Sequence, residues 1–412
     1  MIVRQLFACL LLCSILFSGA NAKVRLGLDN LISSKYAQLK HKRVGFICNQ
    51  TSLTSEGKYA VTLFAKQKEF RLAALFSPEH GLFGQRKAGI RSDSVQKFEG
   101  IPVYSLYGAT RKPTKQMLRS IDILVFDIQD IGVRPYTFLS TMVYAMEAAA
   151  ENGIEFVVLD RPNPLSGLRV EGNILDTTLR SFVGALPVPY LHGMTLGELA
   201  KMAVGEKWFH RAEKLKFSVI TMTGWERAMY WTGTGLKWSA TSPNVPTFAS
   251  AVGCAMFGAI GELGVLSVGI GSDLPFLRIG SKLVKPEILE EAVRSSTPSG
   301  IALSREDYTV PFNDSTKTFS GMKIALPSDL GKVGNFYAGQ FTLLSSLVKD
   351  SVFARSYSGL PASTKMMFGK VTGSHALAKA IGSERELNAV FDRWKQDVKS
   401  FRNKRRKYLL YQ

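Results

Sequence analysis

The 412-residue chain is poor in cysteine and histidine, with four of the first and five of the second. Cys9 and Cys13 lie in an apolar N-terminal run, which leaves Cys48 and Cys254, and two thiols cannot build a disulfide framework. The fold must therefore rest on a packed core, for which 46% hydrophobic residues are ample. His41, His80, His192, His210 and His375 are scattered, with no His-Glu-x-x-His pattern, so nothing signals a zinc site. Gly-x-Gly-x-x-Gly after the first candidate strand, a P-loop lysine motif and a Gly-x-Ser-x-Gly elbow are all missing. Phosphate-cradling loops and the usual α/β serine hydrolase thus have no support, and neither a cofactor nor a metal is expected. Acidic charge is also scarce: 33 Asp+Glu stand against 52 Lys+Arg, a formal +19. Such an excess favours an anionic partner.

Long apolar runs are few, and each has a reading. Residues 5 to 17 follow the single charge Arg4 and precede Ala20-Asn21-Ala22, the pattern of a secretory signal peptide over residues 1–22. Its removal would leave 390 residues at +18 and a periplasmic or secreted protein, for which nucleic acid is not an expected partner. Residues 249 to 271 are long enough to span a bilayer, but their glycines and Glu262 favour a buried helix followed by a glycine-rich loop. No stable membrane span is expected after the leader.

Short β-branched runs at 44–48, 72–76, 101–106, 123–127 and 156–160 alternate with helical periods at 57–68, 114–120 and 136–152. That alternation predicts βαβ units, hence a doubly wound parallel sheet of α/β class over residues 23–204. The remainder, 205–412, reads as a smaller α+β domain, with a loop-rich stretch around Trp225, Trp231 and Trp238 and a short linker near 204–216. Its last helix carries an apolar stripe at Leu387, Val390, Phe391, Trp394, Val398 and Phe401, and the run Lys404-Arg405-Arg406-Lys407 reads as a solvated basic helix end.

In an open parallel sheet, ligands bind beyond the carboxyl ends of the strands. Polar and ionisable residues gather there: Asn49 after the first strand, Glu79 and His80 after the second, Asp127, Gln129, Asp130, Arg134 and Tyr136 after the fourth, and Asp160, Arg161 and Asn163 after the fifth. Glu171 and His192 are further candidates. Asp127 and Asp160 could equally cap turns, and the arginines could simply pair with them. Glu79, between Pro78 and His80 beside a glycine-rich turn, is harder to explain as structure. Paired carboxylates flanking a scissile bond are the usual apparatus of glycosidic cleavage.

The series SPEHGLFG (77–84), FDIQDIGVRPYTF (126–138), LDRPNPLSG (159–167), VEGNILD (170–176), SFVG (181–184) and PVPYLHGMTLGELA (187–200) resembles the bacterial exo-β-N-acetylmuramidases, glycoside hydrolase family 171. The resemblance extends over nearly the whole mature chain. It implies a Rossmann-like N-terminal domain, a smaller C-terminal domain, a cleft between them, and release of N-acetylmuramic acid from non-reducing ends of peptidoglycan fragments. It suggests Glu79 as general acid oriented by His80, with Glu171 or Asp127 as the second carboxylate. Arg134 or Arg161 would pair with the lactyl carboxylate, and Asn49, Gln129, Asp130, Tyr136, Asp160, Asn163, His192 and Glu262 would complete the substrate-binding set. The chain departs from the family at Val268 and Ile270, which stand where the family carries Glu and Arg. A non-catalytic muropeptide-binding protein, or a related hydrolase of different sugar specificity, are the alternatives those two positions raise.

Overall fold

The computed structural model describes residues 23–85, 96–312 and 315–412; the expected signal peptide lies outside the described residues. Seven strands form the first sheet: β1 (Arg43–Cys48), β2 (Arg71–Ser77), β3 (Gln96–Phe98), β4 (Ile101–Ser105), β5 (Ile123–Asp127), β6 (Glu155–Leu159) and β7 (Phe217–Ile220). Their order is β3-β4-β2-β1-β5-β6-β7, and every adjacent pair is parallel except β3 with β4. The inner strands read as continuous apolar runs because helices cover both faces. One face packs on the helices Thr137–Asn152 and Leu196–Gly205. The other packs on Gly27–Ser33 and Ala60–Ala65, where Phe46 and Phe64 stack at 4.2 Å.

The helix expected over 57–68 is shorter. Gly57, at φ +82°, belongs to a turn in which Thr54 N–H donates to Lys58 O, so helical geometry starts only at Ala60. The helix over 136–152 forms as expected and ends on Gly153 in the left-handed region. The last strand of this sheet, β7, comes from Phe217–Ile220, beyond residue 204.

The second half is α+β. Strands β8 (Arg278–Ser281), β9 (Ala302–Phe312) and β10 (Ser315–Ala325) form an antiparallel sheet in the order β8-β10-β9. Residues 249–271 form the buried helix Phe248–Gly261 and a glycine-rich loop; Phe276 O approaches Gly253 so closely that a Cβ would lie 2.3 Å from it. Among the described residues, no helix is long and apolar enough to cross a membrane.

The helix Glu384–Arg405 buries Leu387, Val390, Trp394 and Phe401. Its basic end is not simply solvated. Arg405 turns inward and donates to the carbonyls of Gly167, His192 and Gly193, while Lys404 and Lys407 pair with Glu206. The tail then returns to the first sheet, where Tyr411 Oη donates to Asp160 Oδ2 at 2.6 Å.

Candidate active site

Beyond β2 the chain turns sharply. His80 at φ +70° and Gly81 at φ +79° are both left-handed, and a non-glycine residue held there stores local strain of the kind functional sites carry. The turn sends Glu79 toward the start of the helix Thr137–Asn152, where Thr137 Oγ1 donates to Glu79 Oε2 at 2.8 Å. On the opposite wall, Glu262 follows directly on the end of the helix Phe248–Gly261. The two carboxylates line one cleft of about 350 Å³ between the domains, together with His80, Tyr136, Tyr190 and Asn244. Glu262 stays exposed at the mouth, yet its pKa is pushed up, first by desolvation between the walls and then by the charge of Glu79. A raised carboxyl facing a second carboxylate is the kind of group that serves as a general acid.

Tyr136 Oη and Thr241 Oγ1 lie 2.7 Å apart, which fixes the phenol against the segment that carries Ser242 and Asn244. Cys254 also lines the cleft, but burial pushes its thiol up to about 12 and keeps it protonated. The two departures from the family pattern separate here. Val268 is buried against Gly261 as packing, whereas Ile270 is 41% exposed and lines the cleft.

Most other candidates are placed elsewhere. Both oxygens of Asp127 are taken by Arg161 (Nε 2.5 Å, Nη2 2.8 Å), whose Nη2 also donates to Leu53 O, so both are committed to a buried ion pair. Glu171 accepts from Arg169 Nη1 at 2.5 Å and from the backbone N–H groups of Phe336 and Tyr337, which ties the two domains together. Arg134 is wholly buried and donates to the carbonyls of Asn173, Val188, Val371 and Thr372. Two of those carbonyls close the helix Ala362–Thr372, where a cation is favoured by the exposed acceptors and the helix dipole. It faces no ligand. Asp160 accepts from Thr195 Oγ1, Gly197 N–H and Tyr411 Oη, so it organises the start of the helix Leu196–Gly205, and burial lifts it to about 6.

Asn49 accepts from Thr51 within its own turn, and Asn163 joins Leu165 N–H to Met194 O. Gln129 donates to the carbonyls of Asp130 and Pro162. Asp130 and His192 face a pocket of about 10 Å³ with no hydrogen-bond partner among the described residues for Asp130 Oδ2 or His192 Nε2. Desolvation lifts Asp130 to about 7 and lowers His192 to about 3, so the histidine is neutral. Of the fourteen sequence candidates, Glu79, His80, Tyr136 and Glu262 are the ones the cleft brings together. Sequence reasoning passed over Ser242 and Asn244. Their setting, Ser242-Pro243-Asn244-Val245-Pro246, repeats the proline-bracketed asparagine of residues 162–164 and was a readable signal. No group of three or more His, Cys, Asp or Glu among the described residues could hold a metal ion.

A Rossmann-like sheet domain joined to a smaller α+β domain, with facing carboxylates in the cleft between them, has the architecture of a two-domain carbohydrate-active hydrolase. Sequence models of the exo-β-N-acetylmuramidase NamZ family match residues 44–249 with their N-terminal part and 254–411 with their C-terminal part, and the chain belongs to that family. It is 37% identical over 390 residues to the peptidoglycan β-N-acetylmuramidase NamZ of Bacillus subtilis (strain 168), covering 94% of this chain and 92% of that protein. Two crystal structures of DUF1343 family proteins from Bacteroides fragilis share the fold. One superposes with a TM-score of 0.86 at 34% identity and the other with 0.70 at 27%, each covering 95% of this chain and 99% of its own.

Proposed function

We propose that this protein is an exported peptidoglycan glycosidase that removes N-acetylmuramic acid from the non-reducing ends of wall fragments during turnover or recycling. Family membership supports the sugar, and the Glu79/Glu262 pair in the interdomain cleft is the observation that carries the chemistry. Glu262, which crowding and the charge of Glu79 favour in its protonated form, donates the proton to the departing glycosidic oxygen. Glu79 is the anionic partner that stabilises the oxocarbenium-like centre or directs water to it, and Thr137 fixes its orientation. This exchanges the roles suggested by the sequence, where Glu79 was the acid and the second group was Glu171 or Asp127.

The test is release of p-nitrophenol from p-nitrophenyl N-acetylmuraminide, together with mass spectrometry of a peptidoglycan digest. Loss of turnover of the digest in both Glu79→Gln and Glu262→Gln, with folding intact, is the expected outcome, whereas p-nitrophenol, which departs without a proton, is released by Glu262→Gln with a smaller deficit. Full activity of either variant on the digest would sink the assignment. A hydrolase of different sugar preference is the second reading, favoured by the apolar Ile270 in the cleft wall. Turnover of an N-acetylglucosaminide in place of the muraminide would select it.

A further inference from the structure

A second cavity, of about 300 Å³, opens at the carboxyl edge of the first sheet and does not contain the catalytic pair. Its walls come from the segments after β1 (Thr51, Ser55), β5 (Gln129) and β6 (Arg161), closed by Trp231 and Trp238. In the order β3-β4-β2-β1-β5-β6-β7 the chain runs outward in opposite directions from the β1/β5 pair. This cavity therefore lies at the topological switch point, where open α/β sheets bind their ligands. Its lining also holds buried polar atoms without a partner among the described residues. They are Gln129 Oε1, on a side chain 3% exposed, and the indole Nε1–H of Trp231, 7% exposed, with Trp238 Nε1–H beside it. At about 300 Å³ the cavity is of ligand size.

We propose that this cavity is a second, non-catalytic binding site for a carboxylate-bearing amino sugar. The indoles of Trp231 and Trp238, edge to face at 5.0 Å, offer an apolar surface suited to a sugar ring. The guanidinium of Arg161 is neutralised by Asp127, so the net charge at the cavity comes from the exposed ammonium of Lys237. No carboxylate lines the cavity among the described residues, whereas the catalytic cleft presents Glu79 and Glu262. An anionic substituent is thus favoured here. The segment 239–242 separates the two: Ser239 lines the cavity and Ser242 the cleft, and Gln50 Nε2 holds this segment through the carbonyls of Ala240 and Thr241. The choice of an amino sugar as the ligand class, and of N-acetylmuramic acid as its probe, rests on the proposed function.

Calorimetric titration of the full mature chain with N-acetylmuramic acid tests this. Two sites per chain are expected, one of which is removed by Lys237→Glu and by the cavity-filling Ser55→Phe, with kcat on the aryl muraminide unchanged within about twofold. N-acetylglucosamine, which lacks the carboxylate, should bind the second site at least about tenfold more weakly, the value of one charge-assisted hydrogen bond. A single site abolished by both substitutions would uphold the cavity and count against product binding in the cleft. A single site that survives both, or no binding at millimolar ligand, would overturn the proposal.

Discussion

Replacing Arg134 by Met should destabilise the protein by about 4 kcal/mol and leave substrate affinity nearly unchanged. Arg134 has no solvent exposure and donates to four main-chain carbonyls, at 2.8, 2.8, 3.3 and 2.7 Å. Hydrogen bonds to a charged group contribute about 1.5–3 kcal/mol each, so the gross loss for four is roughly 6–12 kcal/mol. Part is regained because the guanidinium no longer has to be desolvated, and removing one partner of a buried charged network typically costs about 3–5 kcal/mol net. Val371 and Thr372 belong to the end of the helix Ala362–Thr372, while Asn173 and Val188 belong to the first domain, so the loss falls on the seam between domains. Arg134→Lys should recover little, since an ammonium cannot reproduce the planar fork. Urea unfolding followed by tryptophan fluorescence measures the loss, and KM for the muraminide, measured on folded protein well below the midpoint, measures the rest. A variant as stable as the parent but with KM raised a hundredfold would refute the structural placement and return Arg134 to the role the sequence suggested.

Glu262→Gln should lower kcat about 10²- to 10⁴-fold with little change in KM. The deficit should shrink for aryl leaving groups of low pKa, which need no protonation; an equal deficit across leaving groups would remove Glu262 as the acid. Asp130 is raised to about 7 by burial. The folded state therefore holds its proton where the unfolded chain has lost it, and stability falls as pH rises from about 4 through about 7, by roughly 4 kcal/mol in all. Asp130→Asn keeps an acceptor for Gly132 N–H and should remove that slope, so its Tm advantage over the parent grows from pH 5 to pH 8. A constant difference would contradict the burial argument. Tyr411→Phe removes the donor to Asp160 and the acceptor of Met222 N–H and should cost about 1–3 kcal/mol in urea unfolding, with kcat unaltered.

The strands and the helix over 136–152 were legible because their burial is written locally, in apolar runs and in a 3.6-residue period that ends at Gly153. The cleft was only half legible, and the reason lies in what decides a carboxylate's role. Glu79, Asp127, Glu171 and Glu262 are alike in sequence. Asp127 is neutralised by Arg161 from the next strand, and Glu171 by Arg169 and by backbone donors of Phe336 and Tyr337, across the domain seam. Such partners are set by topology, and no local pattern announces them. Glu262 was read as a substrate contact within an apolar segment, yet its place after the helix Phe248–Gly261 brings it against Glu79, across a distance in the chain that only folding closes. The same logic sorts the arginines. A guanidinium that already has a carboxylate or a ring of carbonyls has little left to offer a ligand, so the chain's large positive charge says almost nothing about where an anionic sugar binds. Lys237, at a cavity whose described lining holds no acid, is the residue where that charge meets a shaped site.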